Sequence, residues 1–170
     1  KVTPLAVAFT EWRKPAGGTA LIVLVGADPA DRGLVPWNVV QGEPDSIAEP
    51  HAVAIDKTYM ESLGVKQVSE IAQVDQTRAK VVAMTDGIRS FTMAPYVFTS
   101  LGRARTMLGM QADQATFLLV KLADPMTTEA VRDAIKARLG NVDVLTQAEF
   151  RDRSLDHWLF GTGAGVALIG

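Results

Sequence analysis

The sequence predicts an α+β (mixed α/β) fold, in which a mixed β-sheet packs against helices. Three observations support this class. Apolar runs rich in Val, Ile and Leu alternate along the chain with segments of helical periodicity. Two strand-like runs lie close enough to pair as a hairpin, so the sheet is not purely parallel. Towards the C-terminus, strand, helix and strand patterns follow one another within about 30 residues, the length of a β-α-β unit.

The sheet is predicted to begin with residues 19–26, a continuous apolar run typical of a strand that is buried on both faces. Residues 33–50 contain three prolines and show little periodicity, so we expect a long surface connection there. Residues 52–55 are predicted to form a second, short strand.

A short helix over 57–63 is expected next, because Asp56 is a suitable N-cap and Gly64 is a suitable terminator. Three strand-like segments follow, and the first two are expected to form a hairpin around the turn 75–77. These segments are 67–74, 78–85 and 88–93.

A second helix is predicted to begin at Pro95, since proline is favourable at the first helical position. Four apolar residues then recur at helical spacing: Val97, Leu101, Ala104 and Leu108. The β-α-β unit follows, with a strand over 115–122, a helix over 124–139 and a strand over 142–145.

The last helix is predicted to begin at a capping box. Thr146 and Glu149 are spaced so that each side chain can accept a hydrogen bond from the backbone N–H of the other residue. The helix then runs towards residues 158–170, which contain no charged residue. Two features of this tail are typical of a membrane span. Trp158 is an aromatic residue at the expected membrane interface, and Gly161 and Gly165 form a GxxxG pair.

A complete membrane span needs about 20 apolar residues, more than this tail contains. We therefore expect residues 158–170 to be the start of a transmembrane helix, with a buried C-terminal helix as the alternative. The chain begins at Lys1 without a signal segment. We expect it to be a piece of a longer protein, or a protein from which an upstream segment was removed.

The composition excludes several classes of function. The 170 residues are 48% hydrophobic and 21% charged, as in a globular domain that buries its own core. The formal net charge is −2, so there is no basic excess to bind nucleic acid. The absence of cysteine excludes thiol catalysis and cysteine-ligated zinc. His51 and His157 are too few for a histidine-rich metal site.

We expect no catalytic residue, no metal and no cofactor in this chain. Ser90 lacks the Gly-x-Ser-x-Gly turn that exposes a nucleophilic serine. The carboxylates between Asp28 and Glu49 lack the spacing of a calcium loop. Arg103 and Arg105 are expected to lie on the solvated flank of a helix.

Four segments between residues 20 and 170 carry a family resemblance: 22–29 (IVLVGADP), 53–56 (VAID) with Leu63-Gly64, 87–99 (GIRSFTMAPYVFT) and 158–165 (WLFGTGAG). In this order they resemble the extracytoplasmic domain of MacB/FtsX-type ABC transporter permeases, most closely the DevC-like branch of heterocyst glycolipid exporters. The first 18 residues match nothing that we can place.

The resemblance implies a permease in the bacterial inner membrane, with this domain on the periplasmic side between the first two of four spans. It implies an extracytoplasmic domain over 1–157, with 28–93 as an inserted lobe, before the span that begins at 158. ATP would be hydrolysed by a separate cytoplasmic subunit or domain. A membrane-fusion (adaptor) protein would bind outside the membrane, and the permease would work as a homodimer.

Two functions stay open at this point. In the first, the domain is not an enzyme and transmits motion during export of a lipid-like or other substrate, with the helix from Gln147 as a lever. In the second, a membrane-tethered domain itself binds a lipid or another apolar molecule. The residues expected to contact a partner are Arg89, Phe91, Tyr96 and Phe98. The two phenylalanines have a core role as their alternative.

Overall fold

The computed structural model describes residues 1–30, 36–90 and 93–156, and it confirms the α+β class. Eight strands lie in these residues: β1 (Val2–Arg13), β2 (Thr19–Ala27), β3 (Val39–Gly42), β4 (Ala52–Asp56), β5 (Ile71–Val74), β6 (Thr77–Thr85), β7 (Tyr96–Ser100) and β8 (Phe117–Val120). The α-helices are α1 (Met60–Leu63), α2 (Leu101–Met107), α3 (Thr128–Arg138) and α4 (Gln147–Asp156). Short 3₁₀ turns cover Pro44–Ala48, Lys57–Tyr59 and Pro125–Thr127.

Six strands form a closed ring within the first unit of the chain, Lys1–Val120. The ring order is β2, β7, β4, β6, β5 and β1, and β1 also pairs with β2. The β2–β7 and β4–β6 pairs are parallel, whereas the remaining pairs of the ring are antiparallel. Outside the ring, β3 pairs with β6 and β8 pairs with the start of β1. Closure gives every ring strand two hydrogen-bonded neighbours, so the ring exposes little free strand edge.

The inner face of the ring holds the main core, because all six ring strands contribute buried side chains to a single apolar cluster. Trp12 of β1 is fully buried there, and its Nε1–H donates a hydrogen bond of 2.9 Å to the carbonyl oxygen of Leu63. Other ring residues of this cluster are Ala6, Ile22, Leu24, Val53, Ile55, Ala72, Val74, Ala79, Val81, Met84 and Val97.

A close approach between β2 and α2 requires a glycine at position 26. A Cβ added to Gly26 would lie 2.1 Å from the Cβ of Ala104. We expect Gly26→Ala to lower the free energy of unfolding by about 1–3 kcal/mol, because α2 must move away. Gly102→Ala is the control, since its added Cβ meets nothing within 4 Å, and it should raise that free energy by up to about 1 kcal/mol. Urea unfolding measures both, and equal effects would contradict the predicted contact.

The helix predicted from Pro95 is wrong in its first turn, because Tyr96–Ser100 is strand β7. Val23 donates its backbone N–H to the carbonyl oxygen of Pro95, and the parallel ladder with β2 begins there. The helix begins only at Leu101. The residues Tyr96 to Thr99 are aromatic or β-branched and favour a strand when a neighbouring strand is available.

Other predicted elements also need correction. Residues 142–145 do not form a strand, so the predicted β-α-β unit ends with α3. The stretch 33–50 is not wholly irregular, since β3 and the 3₁₀ turn Pro44–Ala48 lie within it. Residues 88–90 lie outside any strand, and residues 91–92 lie outside the described part of the chain. In contrast, the hairpin of β5 and β6 is confirmed by the pairing of Val74 with Thr77.

The second unit, which starts at Lys121, contains α3 and α4. The capping box is confirmed: the Thr146 N–H donates to Glu149 Oε2 at 2.7 Å, and the Glu149 N–H donates to Thr146 Oγ1 at 3.2 Å. Arg132 of α3 donates a hydrogen bond of 2.9 Å to the same Glu149.

The predicted span at 158–170 lies outside the described residues. Among those that are described, no helix has the length and apolar character to cross a membrane. The boundary at 157 and the inserted lobe at 28–93 stay predictions.

Candidate functional site

The four residues expected to contact a partner lie in different environments. Arg89 is exposed, on the segment that follows β6. Tyr96 is half-buried at the start of β7, and Phe98 is buried on the same strand. The rings of Tyr96 and Phe98 lie 6.3 Å apart between centroids. Phe91 lies outside the described residues. Of the three that the structure describes, Arg89 and Tyr96 have side chains accessible to solvent.

Phe98 belongs to a second apolar cluster, on the outer face of the ring. This cluster combines Phe98 with Ile47 from the 3₁₀ turn and Ile88 from the segment after β6. Phe98 therefore packs as a core residue, which is the alternative predicted for it from the sequence. Ile88, the neighbour of Arg89, is anchored in the same cluster and is only 3% exposed.

A buried carboxylate holds the segment that carries Arg89. Asp56, at the end of β4, is 1% exposed. Its Oδ1 accepts the backbone N–H of Thr58 at 2.9 Å, as the predicted N-cap requires. Its Oδ2 accepts the hydroxyl of Thr85 at 2.9 Å and the backbone N–H of Ile88 at 2.7 Å. These donors replace the water that a buried charge has lost.

The hydrogen bonds also decide the ionisation of Asp56. Burial alone would raise the pKa of this carboxyl group, because it disfavours the charged form. The hydrogen bonds from Thr58, Ile88 and Thr85 together outweigh burial and lower the pKa of Asp56 below its ordinary value. Asp56 is therefore charged at neutral pH, and it accepts all these bonds at once.

Two further contacts join the same elements. Lys57 Nζ lies 2.8 Å from a carboxylate oxygen of Asp86. The backbone N–H of Ser90 donates to the hydroxyl oxygen of Tyr59 at 2.8 Å. We call the three residues Asp56, Lys57 and Tyr59 the clamp, because they hold residues 86, 88 and 90. Arg89 lies between two held residues.

An exposed apolar patch lies beside Tyr96 on the outer face. Phe9 of β1 pairs with Val23 of β2, which pairs with Tyr96 of β7, so the three share one row across the strands. Leu21 lies on the same face, two residues before Val23. Phe9 and Leu21 are 54% and 59% exposed. We call Phe9, Leu21 and Tyr96 the outer patch; Val23, which lies between them, is only 6% exposed.

Sequence reasoning missed both the clamp and the outer patch. The run 19–26 was expected to be buried on both faces, whereas Leu21 is more than half exposed. Phe9 lies in β1, within the 18 residues that carried no expectation. The alternation in β1 was the available signal, because Thr10 and Trp12 face one side while Phe9 and Glu11 face the other.

The surface also has a cleft of about 680 Å³ beside the turn Pro44–Ala48. Its lining combines charged side chains, such as Glu43 and Lys80, with apolar ones, such as Val68 and Val82. In the described parts of the chain, no group of three acidic or histidine side chains is arranged to hold a metal ion. The cleft is open to solvent, unlike the enclosed pockets that bury most of the surface of a small ligand.

Comparisons with known proteins agree with this fold. A family model described as the MacB-like periplasmic core domain matches residues 1–138. The chain is similar to the extracellular domain of the noncanonic ABC-type transporter YknZ from Gram-positive bacteria, at 14% identity and a TM-score of 0.63, over 85% of this chain and 78% of that one. It is also similar to the periplasmic region of MacB from Actinobacillus actinomycetemcomitans, at 11% identity and a TM-score of 0.61, over 92% and 75%. No curated protein matches the chain.

Proposed function

The chain belongs to the family of MacB-like periplasmic core domains of ABC transporter permeases, and from this we propose that the domain, on the outer side of the membrane, couples the hydrolysis of ATP to the export of a substrate. ATP is hydrolysed by a separate cytoplasmic subunit or domain, and the exported substrate is lipid-like or of another kind. The observation that carries the proposal is the family match over residues 1–138, together with the fold shared with extracytoplasmic transporter domains.

The packing of the ring favours transmission of motion over capture of a ligand. The inner face is filled by buried side chains from all six ring strands, so the ring responds to force as one packed body. The cleft beside Pro44–Ala48 is open to solvent, and charged side chains form part of its lining. Direct binding of a lipid, the alternative function, receives no support from that cleft.

The partners follow from the same proposal. The permease is held in the bacterial inner membrane by spans that include the one beginning at 158, and it acts as a homodimer. Helix α4, which begins at Gln147, links this domain towards that span and serves as the lever. A membrane-fusion adaptor protein binds outside the membrane. Arg89 and Tyr96 are the described residues of the predicted set that are open to such a partner.

Adaptor binding tests this assignment. In the complete transporter, Arg89→Ala and Tyr96→Ala should each lower co-purification of the adaptor about tenfold, since arginine and tyrosine commonly dominate protein interfaces. Both variants should keep the circular dichroism of the wild type, and Arg89→Ala should also keep its melting temperature. Arg78→Ala is the matched control, because Arg78 is an exposed arginine on β6. Unchanged adaptor binding in both variants would remove these residues from the proposal.

A further inference from the structure

We propose that Asp56 and Tyr59 are positioning residues, which fix the backbone on both sides of Arg89 and so present its guanidinium group to a carboxylate of the partner protein. This inference rests on the proposed function, in which Arg89 contacts the adaptor. It adds the chemistry of the contacted group and the residues that set the geometry.

The first step of the argument is the position of the two anchors. The backbone N–H of Ile88 is held by Asp56 at 2.7 Å, and that of Ser90 by Tyr59 at 2.8 Å. Both acceptors come from one short segment, so the residue between the anchors has little freedom to rotate. A side chain on a fixed backbone loses less conformational entropy when a partner binds. Arg89 is therefore pre-organised for contact.

The second step is the charge around Arg89. The carboxylates of Asp56 and Asp86, on the elements joined by the clamp, are already engaged: Asp56 accepts three hydrogen bonds, and Asp86 is paired with Lys57 at 2.8 Å. Within the described residues, no ion pair involves Arg89, whereas the exposed Arg13 is paired with Glu11 at 2.9 Å. Among these residues, the guanidinium group of Arg89 is therefore open to a carboxylate of another protein. A planar guanidinium group bonds a carboxylate through two parallel N–H donors.

The third step is the kind of partner. Tyr96, the other predicted contact residue, shares one row of the sheet with the exposed Phe9, and it packs against the apolar cluster that contains Ile88, the neighbour of Arg89. Arginine together with exposed aromatic side chains is the composition of a protein interface. The observations therefore favour a carboxylate on a protein over a lipid headgroup or a free anion.

Trypsin measures the positioning directly, because it cleaves the bond after Arg89 only when the local backbone opens. In the purified chain, Tyr59→Phe should accelerate this cleavage roughly two- to tenfold, as expected for the loss of one hydrogen bond. Asp56→Asn should accelerate it about tenfold or more, because a hydrogen bond to a charged group is lost. An amide at position 56 presents an acceptor to Thr58 or to Ile88, but not to both.

Thr99→Val is the matched control for this experiment. It removes a buried hydrogen bond of 2.7 Å from Thr99 to the carbonyl oxygen of Ala52, away from the segment 86–90. Cleavage after Arg89 should then rise no more than cleavage at other sites. If neither clamp variant accelerates this cleavage selectively, the positioning role is wrong. Tyr59→Phe keeps the test valid even where Asp56→Asn does not fold.

The complete transporter separates this inference from the proposed function. Tyr59→Phe should weaken adaptor co-purification in the wild-type background, and should have no further effect when combined with Arg89→Ala. An equal effect in both backgrounds would overturn the positioning role.

Arg89→Glu should bind the adaptor more weakly than Arg89→Gln, because the introduced carboxylate would repel the carboxylate of the adaptor. Equal binding by these two variants would overturn the carboxylate partner. If Arg89→Ala binds normally, the proposed contact itself fails, whatever trypsin shows.

Discussion

Trp12→Ala is expected to lower the free energy of unfolding by about 4–5 kcal/mol, a large part of the stability of an ordinary domain. Trp12 is fully buried, and its indole fills the inner core where β1 closes the ring by pairing with Val74 of β5. Its Nε1–H also bonds the carbonyl oxygen of Leu63, which lies 51 residues further along the chain. The substitution therefore removes packing, a hydrogen bond and support for ring closure together.

Urea unfolding followed by circular dichroism measures this effect. Trp12→Phe should cost about 1–3 kcal/mol, since it keeps much of the volume but leaves a buried carbonyl oxygen without its donor. Trp37→Ala is the control, because Trp37 is 64% exposed and its loss should change stability by less than about 0.5 kcal/mol. If Trp12→Ala lowered the free energy of unfolding as little as Trp37→Ala, Trp12 would not support the closure of the ring.

The second large effect is expected from Asp56→Asn, which should lower the free energy of unfolding by about 2–4 kcal/mol at pH 7. The carboxylate bonds the backbone N–H groups of Thr58 and Ile88 and the hydroxyl of Thr85. An amide at this position turns a donor towards at least one of these groups. Urea unfolding at pH 7 measures the loss, and a wild-type midpoint for the variant would contradict the described bonding.

The pH dependence of stability has a definite sign at Asp56. Its pKa in the folded state is lowered from the ordinary 3.8. A depressed carboxyl pKa contributes stability above the unfolded-state value, and this contribution is lost as the pH falls through the folded-state value. Below about pH 4, wild type should therefore lose more stability than Asp56→Asn. Urea midpoints at pH 7 and pH 3 test this, and a gap between the two proteins that stayed constant would contradict it.

Local signals in the sequence predicted several helix ends correctly, although Pro95 did not mark the start of α2. Asp56 as an N-cap and the box of Thr146 and Glu149 were predictable because each contact spans two or three residues. Gly64 ends α1 with a positive φ of 66°, which glycine adopts without strain. These contacts depend on neighbours in sequence, so no knowledge of the fold is needed to see them.

Elements that depend on distant partners were predicted poorly. Residues 96–100 match a helical pattern that continues into α2, and they form a strand because they pair with β2 and β4, which both lie far earlier in the chain. The clamp joins residues 56–59 to residues 86–90, and no spacing in the sequence announces those contacts. Of the candidate site, the sequence therefore indicated Arg89 and Tyr96 but not what positions them.

The most direct test of the central claim compares export with ATP hydrolysis in the complete transporter, reconstituted with its adaptor. If this domain relays motion, the Arg89→Ala and Tyr96→Ala double variant should keep hydrolysing ATP while export per ATP hydrolysed falls about tenfold or more. The Arg78→Ala control should keep both rates. An unchanged ratio of export to hydrolysis in the double variant would contradict the account, because coupling would then not pass through this surface.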